Sequence, residues 1–304
     1  MLPKVHIVIL NWNGVEDTIN CLESLNKITY PNYEVIVVDN ASEEDDVKVL
    51  KERYSGYISI IENERNLGYA EGNNVGIRFA LEHGTDYVMV LNNDTIVDSD
   101  FLSHLVESAE KDSGTGLTGP KMFYMDQPDI LYFAGCRIRW FTGLPQHRGM
   151  GKRDNSKFDT PGYTDALTGS CMLIKRVVFE KIGLLPTDYF LQWEDMDFST
   201  NARGNGFRCL YVPQAKVWHR YAASFTRSGM GNRRLKYGVR AQLIYWHKYL
   251  SRLQFFGFVL HFIAVLTPLR IILYLLWHNP SRISHLFQGI REGFTVVFPR
   301  GKAQ

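Results

Sequence analysis

The stretch Tyr87–Thr95, YVMVLNNDT, decides how this chain is read. Tyr87 to Leu91 form a continuous apolar run, and Asn92, Asn93 and Asp94 follow at once. A short unbroken run of this kind marks a strand covered on both faces. Polar groups at the end of such a strand are costly unless something pairs with them. Either they cap a turn, or they hold a ligand outside the carboxyl end of a strand in an open α/β sheet.

The same arrangement recurs three times upstream. KVHIVIL runs into Asn11–Gly14, YEVIVVD into Asp39–Ser42, and YISIIEN into Asn63–Gly68. Helical patterns separate these runs: VEDTINCLESLNK places Val15, Ile19, Leu22 and Leu25 on one face, DDVKVLKERY follows, and AEGNNVGIRFALEHG stops at Gly84. Alternation at this spacing predicts an α/β fold with a mostly parallel sheet, flanked by helices and joined by right-handed crossovers. Further strands are expected in GLTGPKMFY, DILYFAGCRIRW and ALTGSCMLIKR. The polar segment 146–162 reads as a mobile loop. Glu194, Asp195 and Asp197 then open a helix, and a last strand ends at His219.

Composition is that of a globular protein: 304 residues, 45% hydrophobic and 22% charged. The four cysteines include no CxxC pair, which argues against a zinc site or disulfide framework and for a reducing compartment. The N-terminal apolar run is six residues long without a small-residue cleavage site, so it reads as a strand and not a signal peptide. Charge is unevenly spread. After His219, thirteen Lys/Arg face a single acid, Glu292. Such a tail fits an anionic partner.

Within that tail, Leu253–Trp277 is apolar enough and long enough to cross a bilayer. Gln254, His261, Pro268 and Arg270 interrupt it. Arg240, His247, Gln254 and His261 recur at sevens and would share one face of a continuous helix. The pattern favours a helix lying in the membrane interface, over one that spans it or one buried in an oligomer such as a homodimer. Basic residues bordering a large apolar surface point to lipid and not to nucleic acid.

Asp94 at a strand end is a hard oxygen ligand suited to Mg²⁺ or Mn²⁺ with a diphosphate, or else a turn residue. Asp39, before Asn40, Ala41 and Ser42, either caps a turn or makes a hydrogen bond to a nucleobase or ribose. The first turn, NWNG, has no GxGxxG, which argues against a nicotinamide cofactor. It also lacks the Gly-rich basic loop of a sugar nucleotidyltransferase. Glu194 and Asp195 either complement a helix dipole or supply a tuned base.

Together, VILNWNG, VVDNAS, NLGYAEGNNVGI, VLNNDT, TGSCMLIKR and WEDMDF…GF…YVPQAKVWH resemble the family-2 glycosyltransferases of the GT-A fold, in the rhamnosyltransferase-like branch of bacterial polysaccharide assembly. The resemblance runs from Val5 to about Ser224. It implies that Asp39 contacts the nucleobase of a nucleotide-sugar donor, with Asn11, Asn66, Gly68 and Asn93 in the nucleotide site. It places Asp94 in the metal motif, where Asn92 replaces the first of two acids. His219, before Ser224, becomes a second metal or diphosphate contact. Asp195, paired with Glu194, becomes the catalytic base of an inverting transfer. A polyprenyl-diphosphate-linked saccharide is the implied acceptor, at the cytoplasmic face of the membrane. The expected organisation is a transferase domain over 1–228 and a membrane-associated helical region over 229–304. The competing expectation is an inactive homologue that serves as a membrane-bound glycan-binding scaffold.

Overall fold

Valine and isoleucine fill the first strand, β1 (Val5–Asn11), and its parallel neighbours β2 (Tyr33–Asp39) and β4 (Tyr87–Asn92). β-Branched side chains suit a pleated surface that is covered on both sides. The computed structural model describes residues 2–139, 144–221 and 233–299. Ser224 therefore lies outside the described residues, as does the expected boundary at 228. Two compact units emerge: residues 1–138, 145–187 and 194–223 in one, and residues 139–144, 188–193 and 224–304 in the other.

The first unit is built on a ten-stranded sheet. Its parallel core has the order β3–β2–β1–β4, with β3 at Ile58–Glu62. The chain winds outward from β1 through β2 to β3 and returns to place β4 on the other side of β1. The crevice between β1 and β4 is thus the topological switch point, where ligands of such sheets bind. The remaining strands extend the sheet past β4 in mixed directions: β11 (Cys171–Lys175) is antiparallel to β4 and to β6 (Thr115–Tyr124), and β12 (Arg208–His219) is parallel to β6.

Helix α1 (Val15–Leu25) follows β1, and α3 (Gly68–Glu82) packs on β1 and β2 through two glycines. A Cβ on Gly72 would stand 2.7 Å from Leu10 Cδ1, and one on Gly76 would stand 2.5 Å from Val8 Cγ1 and 2.9 Å from Val38 Cγ2. Gly76→Ala is expected to lower the urea midpoint. Overpacking costs about 1–3 kcal/mol, against roughly 1 kcal/mol recovered in helix propensity. An unchanged or raised midpoint would refute this account of the helix–sheet contact.

The segment expected to be a mobile loop is folded. Residues 144–147 form β9 (Leu144–His147), which pairs with β8 (Cys136–Arg139), and β10 (Gly162–Thr164) joins β12. A buried cation explains the order. Lys121 Nζ, from within β6, lies 3.0 Å from Asp154 and 2.5 Å from Asp159, so a charge in the core ties the polar segment down.

The second unit is helical: α7 (Arg233–Tyr249), α8 (Arg252–Leu276) and, after a short turn, α9 (Ser281–Val297). Here the seven-residue spacing misleads. The chain breaks after Tyr249, and Ser251 starts a new helix with a capping box in which Gln254 closes back on the Ser251 N–H. Arg240 and His247 therefore belong to one helix, and Gln254 and His261 to the next. By length and composition α8 could cross a membrane, and a π turn interrupts it at Phe262–Leu266. It buries Phe255, Phe258 and Phe262 and exposes Leu253, Phe256, Leu260, Ile263, Leu269 and Ile272.

Candidate active site

At the β1/β4 switch point the polar strand ends form one hydrogen-bonded system. Asn11 closes β1 and is wholly buried. Its Nδ2 donates to Asp39 Oδ1 (2.8 Å) and Asp46 Oδ2 (2.9 Å), and its Oδ1 accepts from Thr18 Oγ1 (2.7 Å). With both ends committed inside the protein, Asn11 acts as the hub that orients Asp39. Asp39 also accepts from the Ser42 hydroxyl (2.6 Å) and the Ser42 N–H (3.0 Å). Asp46 accepts from the Gly14 N–H (3.0 Å), which fixes the turn after β1.

Asn66 and Gly68 meet one strand further out. Asn66 Oδ1 accepts from the Gly68 N–H (2.8 Å) at the start of α3 and from Asn40 Nδ2 (3.0 Å). Asn40, buried after β2, accepts in turn from Asn63 and from the Leu67 N–H. Asn93 stands across the crevice, half-buried, with Nδ2 donating to Thr18 Oγ1 (3.0 Å) and lying 3.5 Å from Asn11 Oδ1. Asn93 thus joins the end of β4 to the end of β1.

Asp94 and His219 come together although 125 residues separate them in sequence, because β5 (Thr95–Val97) pairs with the end of β12. His219 Nε2 lies 3.0 Å from Asp94 Oδ1. The two are in contact but misaligned for a hydrogen bond, and Asp94 Oδ1 is left buried without a hydrogen-bond partner among the described residues. An orphaned carboxylate oxygen facing an imidazole nitrogen is a donor set that suits a cation. Among the described residues no group of three or more His, Cys, Asp or Glu gathers to hold one. Two protein ligands fit Mg²⁺ or Mn²⁺ when phosphate oxygens and water complete the shell. Arg220, next in the chain, donates its N–H to the Asp94 carbonyl (2.9 Å) and places its half-exposed guanidinium 3.0 Å from Asp17.

Asn92 and Asp195 are linked through a residue that the sequence reading left without a role. The Tyr69 hydroxyl lies 3.0 Å from Asn92 Oδ1 and 2.7 Å from the Gly169 carbonyl oxygen. The Gly169 N–H then donates to Asp195 Oδ2 (2.8 Å), and Asp195 Oδ1 accepts from the Met196 N–H (2.8 Å) at the start of α6 (Glu194–Gly204). Burial raises the Asp195 carboxyl above its ordinary range, opposed by these two N–H donors and by His147. Glu194 is pushed up well above its own range, by burial first and by Asp195 second, and its Oε2 has no hydrogen-bond partner among the described residues. The proton therefore stays on Glu194 to higher pH than on an ordinary carboxyl, and Asp195 is the better base of the two.

Residues 6–183 match the family model "Glycosyl transferase family 2", well over half of the chain. The chain belongs to this family. Among curated relatives, the low-salt glycan biosynthesis hexosyltransferase Agl10 of Haloferax volcanii is 29% identical over 213 residues, which cover 67% of this chain and 62% of that protein's length. The N-acetylglucosaminyl-diphospho-decaprenol L-rhamnosyltransferase of Mycobacterium tuberculosis is 25% identical over 68% of this chain and 72% of its own. Among solved structures, the mannosyltransferase PcManGT of Pyrobaculum calidifontis, in complex with GDP-Man and Mn²⁺, superposes with a TM-score of 0.59 at 18% identity. That match covers 99% of this chain and 77% of the other, and it shows a shared GT-A-like fold.

In this family-2 chain the expected residues Asn11, Asp39 and Asn93 fall into one network, Asn66 and Gly68 into an adjoining one, and Asp94 with His219 into a third. Asp195 joins them through Tyr69. The chain also holds a cavity of about 570 Å³ beside the β8–β9 ribbon, lined by Arg137, Arg148, Lys152 and His147 among others. His147 and Cys136 line it, and the charge of Asp195 acts on both. Tyr69 and Gly169 sat in quoted motifs, NLGYAEGNN and TGSC. Nothing in their residue types showed that one would brace the other.

Proposed function

We propose that the chain is an inverting glycosyltransferase that moves a sugar from a nucleotide-diphosphate donor to a hydroxyl of a lipid-linked saccharide. dTDP-rhamnose and UDP-sugars are the first donors to consider. The observation that carries the reading is the continuous chain of contacts Asp39–Asn11–Asn93 and Asn92–Tyr69–Gly169–Asp195, which positions a nucleotide-binding acid and a carboxylate base on one rigid frame.

In this reading Asp39 and its Asn11 hub hold the nucleobase end of the donor. Asn93, with Asn66 and Gly68 near the ribose, fixes the nucleoside. Asp94 and His219 would hold Mg²⁺ or Mn²⁺, which when bound supplies positive charge against the leaving diphosphate. Arg220 adds a second cation beside it. Asp195 takes the proton of the acceptor hydroxyl as that oxygen attacks the anomeric carbon. The tyrosine brace keeps the base at a fixed distance from the donor site, which is where orientation contributes to rate. A single displacement inverts the anomeric centre. The cavity walled by His147 is the place for the acceptor saccharide. The relative named for a decaprenol-linked substrate supports a lipid-linked acceptor. The exposed apolar face of α8 supports action as a peripheral or monotopic protein at the cytoplasmic face of the membrane.

The test is a donor screen. Full-length protein in detergent receives a polyprenyl-diphosphate-linked saccharide, Mg²⁺ or Mn²⁺, and a panel of dTDP-, UDP- and GDP-sugars. Release of one nucleoside diphosphate, with an inverted anomer in the product by NMR, is the expected result. A retained anomer sinks the mechanism. Nucleotide binding without turnover on any donor assigns the chain to the scaffold alternative.

A further inference from the structure

The cavity of about 570 Å³ beside the β8–β9 ribbon lies wholly within the first unit, the one that holds Asp195, and its charge is one-sided. Arg137, Arg148 and Lys152 line it, and no Asp or Glu does. None of these three cations makes an ion pair among the described residues. The acids whose charge reaches its walls are already matched. Asp154 and Asp159, which act on Tyr211, are paired with Lys121, and Asp165, which acts on Cys136, lies 3.1 Å from Arg203. Asp195 is held by its two N–H donors. Burial lowers His147, so the positive charge of the cavity rests with the two arginines and the lysine.

The wall that carries two of these cations is fixed. Arg148 and Lys152 flank a turn closed by the Lys152 N–H on the Gly149 carbonyl (2.9 Å). Gly149 takes a φ of 76° there, and a Cβ on it would stand 2.9 Å from both Leu131 and Phe158. The Arg148 guanidinium lies 5.4 Å from the Phe158 ring centroid and donates to the Lys157 carbonyl. On another wall Tyr163 is anchored by its hydroxyl on Asp112 (2.8 Å) and by Arg208 against its ring (4.8 Å), yet it stays 56% exposed. A held but exposed ring offers an apolar face to a sugar, and unpaired guanidinium forks match carboxylate or phosphate oxygens. The volume is in the range of ordinary ligand sites. The cavity is also tied to the base: Thr164, whose hydroxyl oxygen accepts from the Cys136 N–H (2.6 Å), lines it, and Gly169 holds Asp195. Five residues of chain from Thr164 to Gly169 span at most about 18 Å, within reach of an oligosaccharide. We propose that this cavity selects an anionic acceptor saccharide, one whose sugar carries a carboxylate or a phosphate, with Arg137, Arg148 and Lys152 supplying the countercharge and Tyr163 the face for the ring. The inference rests on the transferase reading and names the chemical class of its acceptor.

The experiment uses the full chain in a neutral detergent with EDTA present and no nucleotide-sugar. Glucuronic acid, glucose 6-phosphate, glucose and inorganic phosphate are the probes, and binding is read by ligand-observed NMR titration. A charge-assisted hydrogen bond is commonly a factor of ten or more in affinity. At least one of the two charged sugars should therefore bind tenfold or more tightly than glucose, and the tighter of them identifies the anion as carboxylate or phosphate. Inorganic phosphate should bind at least tenfold more weakly than that sugar. The double variant Arg137→Gln/Lys152→Gln should weaken the preferred sugar tenfold or more and leave glucose unchanged, while Arg137→Lys/Lys152→Arg keeps the preference. Thermal unfolding certifies the fold of each variant, and Lys152→Gln alone is used should the double variant fail that control. Glucose binding as tightly as both charged sugars overturns the proposal, as does binding of none of the four. An unchanged preference in the glutamine variant overturns the assignment to this cavity, and inorganic phosphate binding as tightly as the preferred sugar reduces the site to a general anion patch. Nucleoside diphosphate binding is measured separately with Mg²⁺; its failure in the unmodified protein would strike the transferase reading and leave the sugar preference standing.

Discussion

Asp195→Asn should lower kcat for sugar transfer by about 10²–10⁴-fold, the usual contribution of a general base, while donor affinity stays within about twofold. The amide keeps the shape, and its oxygen can still accept from one of the two N–H groups, Gly169 or Met196, while its NH₂ faces the other, so the proton acceptor is lost together with one hydrogen bond. In the unmodified protein, the acid limb of kcat/KM should lie above the ordinary carboxylate range, because burial raises the Asp195 carboxyl. The same shift gives a stability signature. The folded chain holds this proton at pH values where the unfolded chain has released it, so stability falls as pH rises from about 3.9 through the folded value. Above that value the penalty is constant. Asp195→Asn removes it, so this fall in stability with rising pH should be absent from the variant. Glu194→Gln should do the same. Parent-like turnover in Asp195→Asn would remove Asp195 from the mechanism.

Asp94→Ala should cost about 10²–10³-fold in kcat/KM for the donor. This treats its share of leaving-group stabilisation as roughly 3–4 kcal/mol, the scale of a single electrostatic contributor to a transition state. EDTA should bring the parent down to a comparable rate, and added Mn²⁺ should restore the parent but not the variant. His219→Ala should have a smaller effect of the same kind, since a single nitrogen is lost and the carboxylate remains. Parent-like activity in Asp94→Ala, or indifference of the parent to EDTA, would move the charge stabilisation elsewhere, with Arg220 the first residue to examine. Calorimetry of Mn²⁺ binding with and without a nucleoside diphosphate gives a readout apart from turnover.

The sheet was legible because each of its parallel strands is a local event. A β-branched run between helical patterns declares itself within a dozen residues, and so do the polar residues that end it. The Asp39, Asn93 and Asp94 positions follow from that reading. The rest depends on contacts that no local pattern encodes. Lys121 in the middle of β6 shows no sign of the two aspartates more than thirty residues later that order the segment behind it. The seven-residue rhythm from Arg240 to His261 looked like one helix face because spacing does not reveal a break, and Ser251 with Gln254 reads as a cap only once the break is known. Leu144 and residues 188–193 group with the C-terminal helices, although they lie deep within the stretch that reads as transferase. Gln192 and Trp193 there adopt positive φ, 68° and 74°, in the two positions before Glu194. Such backbone conformations are costly for residues with a Cβ and concentrate at functional sites, but residue type alone does not announce them.

The buried hub at Asn11 has a consequence for inheritance. Asparagine and aspartate codons differ by one base, so Asn11→Asp is among the most accessible changes at this position. On most surfaces it would pass unnoticed. Here the side chain stands between the carboxylates of Asp39 and Asp46, and exchanging its donor NH₂ for oxygen would set three buried acids against one another. Repulsion of that kind is worth several kcal/mol or forces a proton into the cluster. Position 11 is therefore closed to its nearest mutational neighbour, and the amide is held there by the two acids it separates.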